Sequence, residues 1–465
     1  MKLRRWQHEC IELALERYQS GQSHFLVQAT PAAGKTFMTA NLANRLLNNG
    51  DIDLVLCFSP SSIVASEFST VLSDITRYSF DGKLGAKGQS ITYQKIAYLD
   101  ENFWALFKKF KVLAVFDEIH HCSGSHDENA NKWGKEIIKN IQDKATYTLA
   151  LTGTPWRSDA TPITLSKYCS SKGKIQCDYV YSLVDAIRDN VCRLPKIIAI
   201  DNDHIKLTNS NFTKYFSSFG ELLSGSSFPY TELIHDENII INLIKRADKQ
   251  LNIIRQSNPN AGGLVVASSV EHALKIVEII QHELNENADI VSYKENCPSE
   301  KIKQYTQGTN KWIVSIGMIS EGTNIPRLQV CCHLTNIKTE LHYRQILGRI
   351  LRVTHGENQE ATLFMPAETK LIEYAYRVSE DIPAQMNIVS FETIENSTIT
   401  PSIKDNMISV LDSTDESDFD NLILSINGSF TNSVLTDSYE SMTNTFGRFH
   451  QEIINFEDLP ARFYG

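Results

Sequence analysis

Two series of short apolar runs that do not alternate with polar residues constrain this chain more than any other feature. The first series is HFLVQ at 24–28, LVLCF at 54–58, VLAVF at 112–116 and YTLAL at 147–151. The second is GLVVA at 263–267, WIVSI at 312–316, VCCHL at 330–334 and TLFMP at 362–366. A strand with one face in water alternates apolar and polar side chains, so an unbroken apolar run needs both faces covered. Stretches with helical spacing separate the runs, which predicts an α/β fold with parallel sheets and helices on both sides. Two series predict two such domains. Between them, residues 196–245 open with one strand-like run, KIIAI, then turn polar, Ser-rich and aromatic, as expected of a connector or small helical insertion. The predicted boundaries are 1–195, 196–245, 246–380 and a C-terminal extension, 381–465.

Charge supports that last boundary. The 465 residues carry 45 Lys plus Arg against 55 Asp plus Glu, a net charge of -10 that argues at first against a phosphate-rich partner. Residues 381–465 hold 3 of the basic and 14 of the acidic residues, or -11, which leaves the first 380 residues at +1. The body is neutral and its extension acidic. Clustered carboxylates at 412–420 suit either a solvated extension or a mimic of nucleic-acid phosphate, whereas LILSI at 422–426 and FGRFHQEIINF at 446–456 are apolar enough to dock. No apolar run approaches the roughly 18 residues of a membrane span, and charge interrupts the first 18 residues where a signal peptide would be apolar. Nine cysteines without a Cys-x-x-Cys pair suit a reducing, cytoplasmic setting.

The chemistry begins at Ala29-Thr30-Pro31-Ala32-Ala33-Gly34-Lys35-Thr36, placed between a strand and a helix-like stretch. Such a loop aims backbone N–H groups and a helix N-terminus at phosphate. Lys35 is expected on the β and γ phosphates and the Thr36 hydroxyl on Mg²⁺. The full phosphate-loop pattern has Gly where Ala29 stands, and a chance Gly-Lys-Thr turn is the plain alternative. Asp117-Glu118-Ile119-His120 closes the VLAVF run, putting two carboxylates at the carboxyl end of a buried strand, where α/β sheets bind ligands. With Mg²⁺ and ATP there, Asp117 is expected to hold the metal and Glu118 to orient and deprotonate water.

With these motifs the sequence resembles the superfamily 2 helicases and translocases of the DEAD/DEAH type over most of residues 1–380. Arg5-Trp6-Gln7 resembles the element whose Gln reads adenine. Ser59-Pro60-Ser61 and Thr92-Tyr93-Gln94 resemble first-domain strand contacts, and Thr152-Gly153-Thr154-Pro155-Trp156-Arg157 the coupling element. In the second domain, residues 317–326, with Ser320, Gly322 and Asn324, resemble motif five. Gln345-Ile346-Leu347-Gly348-Arg349-Ile350-Leu351-Arg352 matches motif six. The resemblance implies two tandem RecA-like domains with ATP and Mg²⁺ between them. It implies that His120, Thr152, Gly153 and Thr154 couple hydrolysis to movement, and that Ser59, Pro60, Ser61, Thr92, Tyr93, Arg157, Ser268 and Ser320 lie along nucleic acid.

Arg349 and Arg352 are three apart, so on a helix both project from one face. A guanidinium there suits the charge of the transferred phosphoryl group. Gln345 stands where RNA-remodelling relatives have His, and the similarity to restriction-enzyme motor subunits and duplex-opening repair helicases favours DNA over RNA. Ala32 and Asn324 depart from the usual Gly and Asp. His120, His121, Cys122 and His126 resemble a metal cluster by composition, but no second ligand pair follows at zinc spacing. The chain carries no recognisable nuclease motif, so strand cleavage is expected from a protein partner, in a restriction, phage-defence or repair setting. The alternative is a nucleotide-gated binding subunit whose ATP state controls partner assembly.

Overall fold

The computed structural model describes residues 2–124, 130–155, 161–168, 175–208, 212–292, 298–317, 325–353, 360–380 and 443–453. The chain opens with helix α1 (Arg5–Gln19) and strand β1 (His24–Ala29), then α2 (Lys35–Asn49), β2 (Leu54–Ser59), α3 (Ser62–Thr76), β3 (Gly88–Thr92) and the short α4 (Tyr93–Ile96). Strands β4 (Val112–Phe116) and β5 (Tyr147–Thr152) follow, then a small pair, β6 (Lys167–Tyr168) and β7 (Ile175–Gln176), and β8 (Tyr179–Tyr181). The first sheet has the order β3-β2-β4-β5-β1-β8, and these neighbouring strands all pair in parallel.

The unalternating runs have the physical cause expected of them. Phe25, Val27, Val55, Cys57, Leu113 and Val115 enter one buried cluster with α1, α2 and α3. Their neighbours Leu26, Leu56, Phe58, Ala114 and Phe116 enter a second cluster on the other face. Successive side chains of a strand point to opposite faces, so a sheet sandwiched between two layers needs apolar residues at every position. Each large aliphatic or aromatic side chain so buried contributes about 1.5–3 kcal/mol.

Strands β9 (Leu194–Asn202), β10 (Ile205–Thr208) and β11 (Thr213–Phe216) lead to the second series: β12 (Gly262–Ala267), β13 (Ala288–Ser292), β14 (Trp312–Ile316), β15 (Leu328–Leu334) and β16 (Glu360–Pro366). The C-terminal β17 (Thr443–Phe446) and β18 (Phe449–Ile453) complete a seven-stranded sheet, β13-β14-β12-β15-β16-β9-β18, and a three-stranded one, β11-β10-β17. The larger sheet is parallel except for β18, which runs antiparallel to β9.

Two placements differ from the sequence reading. The KIIAI run at the head of the expected connector lies in β9, parallel to β16 along seven residue pairs. Part of the acidic extension is likewise built into the second domain. Phe446 and Phe449 pack on the buried Phe219, with ring centroids 5.9 and 6.4 Å away, and Arg246 donates to the Gln451 side chain at 2.7 Å. The run at 446–456 thus supplies β18, whereas 422–426 and the carboxylates at 412–420 fall outside the described residues. The seven described cysteines are unbridged, and six are buried. Among the described residues no helix is long and apolar enough to cross a membrane.

Candidate active site between the two sheets

The phosphate loop joins β1 to α2. Its backbone turns through two left-handed residues, Ala32 (φ 70°) and Gly34 (φ 94°), before the helix begins at Lys35. Gly34 has a steric reason as well as a torsional one, because a Cβ there would meet the Gln7 amide nitrogen at 2.8 Å. Thr30 donates its N–H to the Tyr181 carbonyl, and Ala33 its N–H to the Thr30 carbonyl. Helix α1 covers the loop: Arg4 donates to the Ala33 carbonyl at 2.7 Å and Gln7 to the Gly34 carbonyl at 3.0 Å. Gln7, the expected adenine reader, is buried here with its amide on the loop, and Arg4 is a loop contact that the sequence did not disclose.

Lys35 Nζ lies 3.1 Å from Glu118 Oε1 and 3.2 Å from the Ala29 carbonyl. The second Glu118 oxygen accepts the Gly153 N–H at 3.0 Å and stands 3.4 Å from His120 Nδ1, which meets the Thr152 hydroxyl at 2.9 Å. Thr152 in turn donates to the Thr154 carbonyl. The structure therefore gathers Lys35, Glu118, His120, Thr152, Gly153 and Thr154, distant in sequence, into one bonded cluster at the carboxyl ends of β1, β4 and β5. Thr36, on the first turn of α2, and Asp117, at the end of β4, are the oxygen donors suited to Mg²⁺.

Burial pushes the Asp117 carboxyl up, and the adjacent Glu118 charge adds to the rise. Burial opposes ionisation of Glu118 too, but Lys35, His120 and the Gly153 N–H together hold it well below the usual carboxylate range. Two neighbouring acids with opposite shifts form a set that a divalent cation would complete, since its charge favours the ionised form of Asp117.

The second domain reaches this site through the helix Glu340–Ile350, which carries Gln345 and Arg349, with Arg352 just beyond it. Gly348 sits directly against the phosphate loop: a Cβ there would lie 2.5 Å from Pro31 Cβ. Arg352 bridges to Cys192, whose thiol faces the Pro31 carbonyl at 3.6 Å. Burial and the charge of Arg349 lower the Arg352 pKa, whereas Glu67 of α3 in the first domain raises it. Arg193, also not singled out from sequence, is completely buried and donates to the Leu328, Ile350 and Pro326 carbonyls at 2.8, 3.0 and 3.3 Å. It ties the segment entering the second domain to the end of the helix bearing Arg349. A cleft of about 470 Å³ has Thr30, Pro31 and Thr154 on one wall and Arg344, Gly348 and Leu351 on the other.

The residues expected along nucleic acid divide. Pro60, Ser61 and Thr92 are partly exposed at the ends of β2 and β3, with Ser61 capping α3 through Val64 N–H and Gln94 donating to the Pro60 carbonyl at 3.5 Å. Ser59 and Tyr93 are buried and offer no side-chain surface to a strand, which corrects that expectation. Tyr93 is turned inward, where its ring stacks on Trp133 and its hydroxyl donates to the Asp117 carbonyl at 2.7 Å. Ser268, at the end of β12, is partly exposed and its hydroxyl lies between His235 (2.7 Å) and His272 (2.9 Å). Arg157, Ser320, Gly322 and Asn324 fall outside the described residues.

Residues 1–157 match the family described as type III restriction enzyme, res subunit. Over these residues the chain is similar to the res subunits of type III restriction enzymes. Among curated relatives, an uncharacterized protein of Mycobacterium leprae is 28% identical over 86% of this chain and 67% of its own length. Another, from Mycobacterium tuberculosis, is 30% identical over 80% and 62%. A candidate mitochondrial ATP-dependent helicase of Schizosaccharomyces pombe is 23% identical over 77% of this chain and 56% of its own. The chain thus spans between about half and two thirds of these relatives. Among solved structures, a fragment described as a candidate HsdR subunit of a type I restriction enzyme from Vibrio vulnificus aligns with a TM-score of 0.55 at 14% identity, over 80% of this chain and 65% of that one. A type ISP restriction-modification enzyme bound to DNA gives 0.52 at 14%, over 82% and 30%, and Dbp5 of S. cerevisiae bound to RNA gives 0.51 at 12%, over 82% and 88%. The two sheets are accordingly RecA-like in fold.

Proposed function

We propose that the protein is a DNA-dependent ATPase that translocates along DNA or opens it by hydrolysing ATP between its two sheets. The observation that carries this reading is the seating of the Arg349 helix on Pro31 of the phosphate loop, beside the Lys35–Glu118 pair. When bound, Mg²⁺ and ATP supply the γ-phosphoryl group and the cation that neutralises its oxygens. Lys35, Thr36 and the loop N–H groups would bind the phosphates and metal with Asp117, and Gln7, whose amide lies on the loop, would read adenine. Glu118, kept ionised, orients a water and takes its proton. Its basicity rises when Lys35 turns from the carboxylate to phosphate, because an influence that lowers its pKa is withdrawn. Arg349 and Arg352 come from the other domain, so hydrolysis depends on how the domains sit together, and nucleic acid lying across both can control it.

DNA is favoured over RNA by the restriction-type match of residues 1–157 and by Gln345 in motif six. The fold alone does not choose, since one structural neighbour holds DNA and another RNA. A restriction, phage-defence or repair role, with cleavage by a partner, follows from the same resemblance. The test is the ATPase rate with single-stranded DNA, duplex, forked DNA and RNA. Strong stimulation by a DNA form is expected; equal rates with and without every nucleic acid would overturn the reading and favour a nucleotide-gated binding subunit.

A further inference from the structure

We propose that Tyr93 is a positioning residue for hydrolysis: its buried hydroxyl holds the main chain at Asp117, and thereby sets where Asp117 and Glu118 point. The inference deepens the ATPase reading above and rests on it.

Tyr93 is the first residue of α4, directly after Thr92 at the carboxyl end of β3. Its ring is fully buried and stacks on Trp133, with centroids 5.7 Å apart. Packing alone would be served by Phe. A buried phenol hydroxyl carries a desolvation cost unless bonded, and this one donates to the Asp117 carbonyl at 2.7 Å and lies in hydrogen-bonding reach of the Cys122 thiol. It thus holds the main chain where the short segment that contains Glu118 and His120 begins.

That segment needs gripping. Asp117 donates its N–H to the Phe58 carbonyl at 2.9 Å, so its two peptide groups are held from β2 on one side and α4 on the other. The next residue, Glu118, has φ 48° and ψ 55°, a left-handed conformation that a side-chain-bearing residue keeps only when its surroundings impose it. In that conformation its carboxylate meets Lys35 and the Gly153 N–H. The Tyr93 bond is therefore one of the constraints that keep Glu118 in place. The same four-residue helix carries Gln94, bonded to the Pro60 carbonyl, so α4 also joins the ends of β2 and β3 to the carboxylates.

The test is Tyr93→Phe in the full chain, with kcat and KM for ATP, Mg²⁺ dependence and nucleic-acid Kd measured against wild type. Expected are a kcat lower by about tenfold at saturating ATP and nucleic acid, a raised Mg²⁺ requirement, and Kd and KM within about twofold. In the Glu118→Gln background the substitution should cost little further rate, because both changes act through one group. A full additive loss there, an unchanged kcat, or a weakened Kd with kcat restored at saturation would each overturn the proposal. Trp133→Phe loosens the same packing and keeps the hydroxyl. It is expected to lower thermal stability while sparing kcat, and an equal kcat loss would assign the effect to packing and overturn the proposal. If no nucleic acid stimulates the wild-type protein, the functional reading fails by itself, and Tyr93 is judged by the same criteria on basal kcat.

Discussion

In the first domain, Lys35, Glu118, His120 and Gly153 hold one another through contacts of 3.0–3.4 Å, so that half of the site is assembled within one sheet. In the second domain, Arg349 and Arg352 are carried at the end of one helix. Their helix rests on Pro31 through Gly348, and Cys192 and Arg193 tie its end to the entering strand. The first half is thus preformed, whereas the second is delivered by a packing surface. Substitutions should therefore separate chemistry from delivery.

The largest effect is expected at Glu118→Gln, which removes the proton acceptor but keeps the shape. We expect the ATPase rate to fall by about 10³ or more, with ATP still bound, as measured by single-turnover hydrolysis beside equilibrium nucleotide binding. Retention of more than a tenth of the rate would mean that Glu118 is not the base. Arg349→Ala should follow, with a loss of roughly 10³ and a nearly unchanged folding midpoint. A rate within a few-fold of wild type would break the comparison, because the first sheet would then suffice.

Gly348→Val tests delivery alone. A Cβ at this position would lie 2.5 Å from Pro31 Cβ and 2.9 Å from its Cγ, so the helix must move off the loop. We expect the rate to fall by about tenfold or more through misplacement of Arg349, while circular dichroism and domain stability change little. Equal loss of rate and of stability would show that the contact is structural rather than positional.

The same contrast explains what was legible in the sequence. The runs VLAVF and WIVSI announce strands buried on both faces, because burial of a parallel sheet leaves that unalternating pattern wherever it occurs. Lys35, Glu118 and Arg349 stand within short motifs whose spacing reflects local geometry. Tyr93 misled because a residue just past a strand end usually faces the ligand side, and its inward turn depends on Trp133, forty residues later. The role of β9 was hidden for a similar reason: a single apolar run does not say which sheet it joins, and β16, its partner, lies far along the chain. The β18 pairing is a contact across the whole second domain. Arg193 gave no signal, since one arginine acquires meaning only from the three carbonyls that surround it.

The smallest effect is expected where this phosphate loop departs from its usual sequence. Ala32 adopts φ 70°, a conformation in which a Cβ costs roughly 1–2 kcal/mol. Ala32→Gly removes that cost from the folded state, but it also gives the unfolded chain more freedom, worth about 0.5–1 kcal/mol in the opposite direction. The two partly cancel, so the net gain in stability should lie between about 0 and 1.5 kcal/mol, read as a small rise in the denaturant midpoint. Helix α1 already holds the loop through Arg4 on Ala33 and Gln7 on Gly34, so added freedom at Ala32 has little room to act, and kcat should stay within about twofold. A large gain in rate would show that strain at Ala32, rather than delivery of Arg349, restrains the preformed half, and would reverse the order of the two halves.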